Sequence, residues 1–214
     1  MHTLSMEVKW DNGKDKRGAQ GDATRLALLA TARDLFGEKG YAATSIEEVA
    51  ARAGVTKGAV YHHFGGKADL FQDVYEQVKR EVSDKVVSVF LEPDHWKALT
   101  GGCQLMIDAQ LDPAVRRIAL HDARSVLGWE VVRQIESRYG AVGIRGALRK
   151  AMHGGVIEPQ PLRPLALLLA GALSEACFYV ADADDRAHAR EEVGLLVVRI
   201  LEGLKVPAAS RVAG

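Results

Sequence analysis

Between Arg52 and Lys67 the chain carries three Lys/Arg, two histidines and a tyrosine, and no Asp or Glu. Within that stretch Thr56, Lys57, Gly58, Tyr61 and His62 can share one side of a helix, with Val60 and Phe64 four apart on the other. The first set is small, basic or hydrogen-bonding. Such a surface can come close to phosphate oxygens and base edges. It holds no obvious nucleophile and base. His62 and His63 are adjacent rather than four apart, so they cannot share a metal ion on one helix face.

The elements that must position these groups are legible on either side. Ser45 is a good N-cap, and Glu48 three residues on completes a capping box. Ile46, Val49, Ala50 and Ala53 give a first helix one apolar face, and Gly54 ends it. Thr56 caps a second helix that runs to about Phe64, where Gly65-Gly66 breaks it. Two short helices across a tight turn form a helix-turn-helix, which fits DNA. The same spacing also suits a short surface helix pair of an ordinary helical protein. A preceding helix from Asp22 to Gly40, with Leu28, Leu29, Ala32, Leu35 and Phe36 as its buried stripe, supplies the wall such a pair needs. Lys39 sits in its last turn, where it complements the helix dipole.

The whole chain sets bounds. It has 214 residues, 48% hydrophobic and 26% charged, with zero formal net charge. DNA affinity must therefore come from a local patch rather than a general basic coat. Cys103 and Cys177 have no CxxC partner or nearby histidine cluster, which predicts free buried thiols and no metal site or cofactor. The longest apolar run, Pro164 to Leu173, is too short to span a bilayer, and the first residues lack the apolar core of a signal peptide. The expectation is a soluble cytoplasmic protein without a membrane partner. Residues 1–21, with four basic and three acidic side chains, read as a flexible arm, and 206–214 as a flexible tail.

Residues 26–71 resemble the DNA-binding segment of the TetR family, the tetracycline-repressor-like transcription regulators. The resemblance rests on Ala32 with Leu35-Phe36, Gly40-Tyr41, Thr44-Ser45, Ile46 with Val49-Ala50, Ala53-Gly54-Val55, Thr56-Lys57-Gly58, Val60-Tyr61-His62-His63-Phe64, and Lys67 with Leu70-Phe71. Ala59 stands where the family often has a hydroxyl residue, so one contact to DNA is in doubt there. The resemblance implies an all-α fold of about nine helices: a three-helix DNA-binding domain over residues 22–68 and a larger ligand-binding and dimerisation domain over 69–205. It further implies that Thr56, Lys57, Gly58, Tyr61 and His62 meet bases or phosphates in the major groove. Arg25, Thr44 and Lys67 would hold the backbone beside it. For Tyr61 partial burial is the alternative, and His63 falls to the packing or rim of the small domain.

The remaining chain continues in helical periods. Leu70, Phe71, Val74, Val78, Val82, Val86 and Val89 mark a connector helix from Lys67 to about Phe90. Further helices are expected over 96–110, 113–127, 128–153, 161–183 and 186–204. The last two are apolar on more than one side. Leu162, Leu165, Leu168, Leu169, Ala172, Leu173, Ala176, Tyr179 and Val180 line the first, and Val193, Leu196, Val197, Ile200, Leu201 and Leu204 the second. Burial inside one chain could cover them, and so could the same pair of a second copy, giving a homodimer through a four-helix interface.

Candidate effector-binding residues combine an apolar setting with a polar or aromatic tip: Trp96, Met106, His121, Arg124, Trp129, Glu175 and Phe178. Glu175 interrupts an apolar stretch, so it needs either a cationic ligand group or an arginine across the dimer. His121 and Arg124 are three residues apart and can face one cavity or solvent. No strand-linked Gly-rich phosphate loop, GxSxG or HExxH is present, which argues against an enzyme. The reading is a homodimeric regulator, most simply a repressor that leaves a near-palindromic double-stranded DNA operator when a small-molecule effector binds. A ligand-free architectural DNA binder is the remaining alternative.

Overall fold

The computed structural model describes residues 12–89 and 92–207; the side chains of 12–19 and of residue 141 are outside that description. Nine α-helices follow one another among the described residues: α1 (Asn12–Ala43), α2 (Ile46–Arg52), α3 (Lys57–His63), α4 (Lys67–Val89), α5 (His95–Asp108), α6 (Pro113–Arg116), α7 (Ala123–His153), α8 (Leu162–Asp182) and α9 (Arg186–Glu202). The only strand-like pairing among them is an isolated bridge between Ile157 and Lys205.

Helix α1 starts ten residues earlier than Asp22. Residues 12–21, expected to belong to an arm, are helical. Their polar run of Lys, Asp, Arg and Gln has no apolar face, so periodicity cannot reveal it, although most of these residues propagate a helix well. Residues 1–11 lie outside the described residues. At the other end, Gly40 takes φ 85° and breaks the helix, as its position suggested.

The caps follow the local sequence. Ser45 Oγ accepts from the Glu48 amide at 3.2 Å, and Thr56 Oγ1 from the Ala59 amide at 3.2 Å. The Glu48 carboxylate pairs with Lys39, which ties α2 to the end of α1. Asp94, Asp112 and Asp185 cap α5, α6 and α9 in the same manner. The chain over 113–153 bends where Gly128 adopts φ 78°, matching the expected division into 113–127 and 128–153. Between α6 and α7 the backbone makes a π-helical turn, Arg117–Asp122, which the sequence did not signal.

Two cores hold the molecule together. The first joins Leu28, Phe36, Val49, Val60 and Phe64 of the head to Phe71 and Tyr75 of α4 and to Ile118 and Val132 beyond. Packing therefore runs without a gap across the expected boundary at residue 68. The second gathers α5, α7, α8 and α9 around Leu99, Ile107, Leu148, Leu173 and Leu201. Backbone bonds from Glu158 to Leu204 (3.1 Å) and from Val206 to Val156 (3.2 Å) fasten the end of α9, so Val206 is held rather than part of a loose tail; residues 208–214 are outside the described residues.

Head and body also meet at a polar joint. The Asp122 carboxylate accepts the Tyr41 amide at 2.8 Å, just past the Gly40 break, and Arg117 donates to the Glu38 carbonyl at 2.5 Å. Both partners come from the π-helical turn. Gly37 lets α6 approach closely: a Cβ there would lie 2.6 Å from that of Ala114.

Candidate nucleic-acid interface and effector site

Helix α3 is pinned by Val60, fully buried, and its C-cap Phe64, both in the head core. The opposite side presents Thr56, Lys57, Gly58, Tyr61 and His62, all exposed, with Tyr61 at 49%. The structure thus brings together the five residues expected to read DNA. His63 is half-buried at the rim, edge-on to His62 with ring centroids 5.3 Å apart. A Cβ at Gly58 would touch only Thr56 Oγ1, at 3.8 Å, so the fold itself does not require glycine there.

The charge on this surface is less positive than the run from Arg52 to Lys67 suggests. Lys57 forms an ion pair with Glu47 of α2, and its ammonium lies 5.8 Å from the Tyr61 ring centroid. Arg52 forms a two-point pair with Glu38 of α1, at 2.9 and 3.0 Å. Through these hydrogen bonds Glu47 and Glu38 are held below the usual carboxylate range, and Lys57 and Arg52 are raised. The acids lie ten and fourteen residues before their partners, outside the stretch in which charges were counted.

The three flanking residues are placed differently. Arg25 is half-exposed, bonded to Asp73 of α4 at 2.5 Å and seated 5.3 Å from the Phe64 ring. Burial raises Asp73 above its ordinary value, and Arg25 acts against that. Thr44 is only 2% exposed. Its hydroxyl donates to the carbonyls of Gly40 (2.9 Å) and Leu35 (3.3 Å), so it braces the corner between α1 and α2 inside the head. Lys67 turns its ammonium onto the Thr44 carbonyl (2.6 Å) and the Tyr41 ring (4.1 Å), clamping α4 to the corner between α1 and α2. Tertiary packing decides this, because both positions border a corner that buries whatever points inward.

The seven effector candidates do not share one cavity. Arg124, Trp129 and Phe178 converge: the guanidinium carbon lies 5.1 Å from the Trp129 ring centroid and 4.4 Å from that of Phe178. His121 is exposed in the π-helical turn. Met106 is half-buried against the second core, and its carbonyl accepts from Gln110 at 3.2 Å. Trp96 stands apart at the start of α5, with the Lys205 ammonium 3.8 Å from its ring centroid. Glu175 is exposed, not buried. It lines an open groove of about 450 Å³ between α8 and α9 with Tyr179 and Glu192. The carboxylate falls on the outer side of α8, a rotation that an apolar run does not disclose.

That outer side is apolar. Leu167, Leu168 and Tyr179 of α8 and Leu195, Leu196 and Ile200 of α9 are all more than half exposed, with Leu168 at 73%. Helix α8 has 21 residues and is long and apolar enough to cross a membrane by length and composition, which corrects the inference from its shorter apolar run. Its Ala166, Leu173, Cys177 and Val180 side is buried in the body, which makes it an element of this fold. The thiols of Cys103 and Cys177 are free, and burial pushes them up to about 12 and about 11.

A three-helix head with a buried core and one exposed, outward-facing helix, on a larger all-α body, is the architecture of the helix-turn-helix class of regulators. Residues 28–74 match the family model described as bacterial regulatory proteins, tetR family, and residues 96–204 that described as tetracyclin repressor-like, C-terminal domain. The chain belongs to the TetR family of transcriptional regulators. It is 32% identical over 117 residues to the TetC protein of transposon Tn10 from Escherichia coli, covering 55% of this chain and 59% of that one. With the transcriptional regulator AcrR of Shigella flexneri it shares 41% over 71 residues, 33% and 32% of the two chains. The chain thus spans from a third to three fifths of these relatives' length. A TetR-family regulator from Pectobacterium atrosepticum superposes with a TM-score of 0.79 at 33% identity, over 88% of this chain and 97% of that one. The complex of RolR with resorcinol shares the fold, with a TM-score of 0.68 at 19% identity over 90% and 93%.

Proposed function

We propose that this chain is a ligand-responsive repressor that grips a near-palindromic DNA operator as a homodimer in the cytoplasm. The carrying observation is the two-sided α3: Val60 is locked in the core, while Thr56, Lys57, Gly58, Tyr61 and His62 form the exposed face. In this reading α3 lies in the major groove. Lys57, Tyr61, His62 and Arg25 meet phosphates or bases, Gly58 permits close approach, and Thr44 and Lys67 position the head. The exposed apolar side of α8 and α9 packs on that of a second copy. The two α3 helices then stand roughly 34–36 Å apart, one turn of DNA.

The effector site lies in the body, around Arg124, Trp129 and Phe178. That RolR, with the same fold, holds a small aromatic diol supports a small-molecule effector. The joint of Asp122 and Arg117 with the end of α1 gives the body a grip on the head that effector binding can alter. A differential of about 1–3 kcal/mol between the two head spacings suffices for a typical response. The test is selection of bound fragments from random DNA, followed by a mobility shift on the enriched sequence. A palindrome with half-sites one turn apart is expected; absence of any enriched sequence overturns the reading.

A further inference from the structure

Arg124 stands out in the body because two aromatic rings flank it. Its guanidinium is packed against two rings, and no carboxylate lies within ion-pair distance among the described residues. Stacking occupies the flat face of a guanidinium and leaves the N–H donors along its edge free. The Trp129 ring beside it is 60% exposed, a large aromatic surface left in water.

We propose that Arg124, Trp129 and Phe178 form the recognition site for an aromatic acid. A carboxylate is the group that the planar edge of a guanidinium matches, through two parallel charge-assisted bonds, which are the strong ones. The aromatic body of the ligand covers Trp129. A cationic ligand is disfavoured by Arg124 itself. The site deepens the reading of the chain as an effector-responsive regulator and rests on it. Its placement suits that role: Arg124 follows Asp122 by two residues, and Asp122 holds the Tyr41 amide of the head.

The test is calorimetric titration of the full chain, without DNA, using 2-naphthoate, its neutral amide 2-naphthamide, and 2-naphthylmethylammonium. Naphthoate is expected to bind one site per chain and the amide about tenfold or more weakly, the difference one charge-assisted bond can make. Arg124→Gln removes that preference, and Arg124→Lys restores part of it. Arg124 is exposed, so its variants fold. Equal binding of the amide or the ammonium, an unchanged affinity in Arg124→Gln, or no naphthoate heat at millimolar concentration each overturns the proposal. An operator mobility shift on the same ligand-free preparations separates the two readings. A retained shift with failed naphthoate binding removes only the aromatic-acid site, whereas a failed shift removes the DNA reading and leaves the titration standing.

Discussion

The Glu47–Lys57 pair makes the DNA-reading face nearly neutral at the point where the sequence looks most basic, and its removal has a calculable consequence. Neutralising one phosphate with one cation contributes about 0.9 to the slope of log affinity against log salt. A Lys57 held by Glu47 brings no net charge to the groove, because the pair sums to zero. Glu47→Gln frees one positive charge per head, and a dimer has two heads. The slope should steepen by about 1.8, so between 50 and 200 mM salt the variant loses about tenfold more affinity than the parent. Lys57→Met should flatten the slope by a similar amount, because it leaves Glu47 unpaired beside the DNA. The double variant, neutral at both positions, should return to the parent slope. The assay is a fluorescence-anisotropy titration of labelled operator at four or more salt concentrations. An unchanged slope in Glu47→Gln would show that Lys57 already delivers its full charge to a phosphate, and the argument from the pair fails.

Three further outcomes follow from the packing. Gly58→Ala should stabilise the free protein by up to about 1 kcal/mol, since a helical Gly costs roughly that much and the added Cβ meets only Thr56 Oγ1; a thermal melt shows the gain, and unchanged operator affinity would deny close approach at this position. Thr44→Val should cost about 1–3 kcal/mol in urea unfolding by leaving buried carbonyls unpaired, with operator affinity kept in the folded fraction. A tenfold affinity loss at unchanged stability would return Thr44 to the phosphate. Leu168→Glu should leave the chain folded, because the side chain is exposed, and shift sedimentation to the monomer; a persisting dimer places the interface elsewhere.

The sequence by itself determined the helices and their punctuation. Ser45, Thr56, Asp112 and the glycines at 40 and 128 act through local backbone chemistry, which short spacing reveals. It also determined the two-sidedness of α3, because Val60 and Phe64 need only the helical period to oppose Lys57 and Tyr61. Tertiary structure decided what each polar group faces. Thr44 and Lys67 read as phosphate contacts in the chain; in the fold their side chains bond to carbonyls at the corner between α1, α2 and α4, a set of partners that spacing does not disclose. The acid-free stretch around Lys57 gained Glu47 and Glu38 from other helices, since an ion pair depends on distance in space, not on spacing along the chain. The polar start of α1 and the π-helical turn left no apolar pattern to read. The grouping of Arg124 with Trp129 and Phe178, and the outward rotation of Glu175, depend on how α7 and α8 cross. That crossing is set by the packing of whole helices, which no single segment encodes.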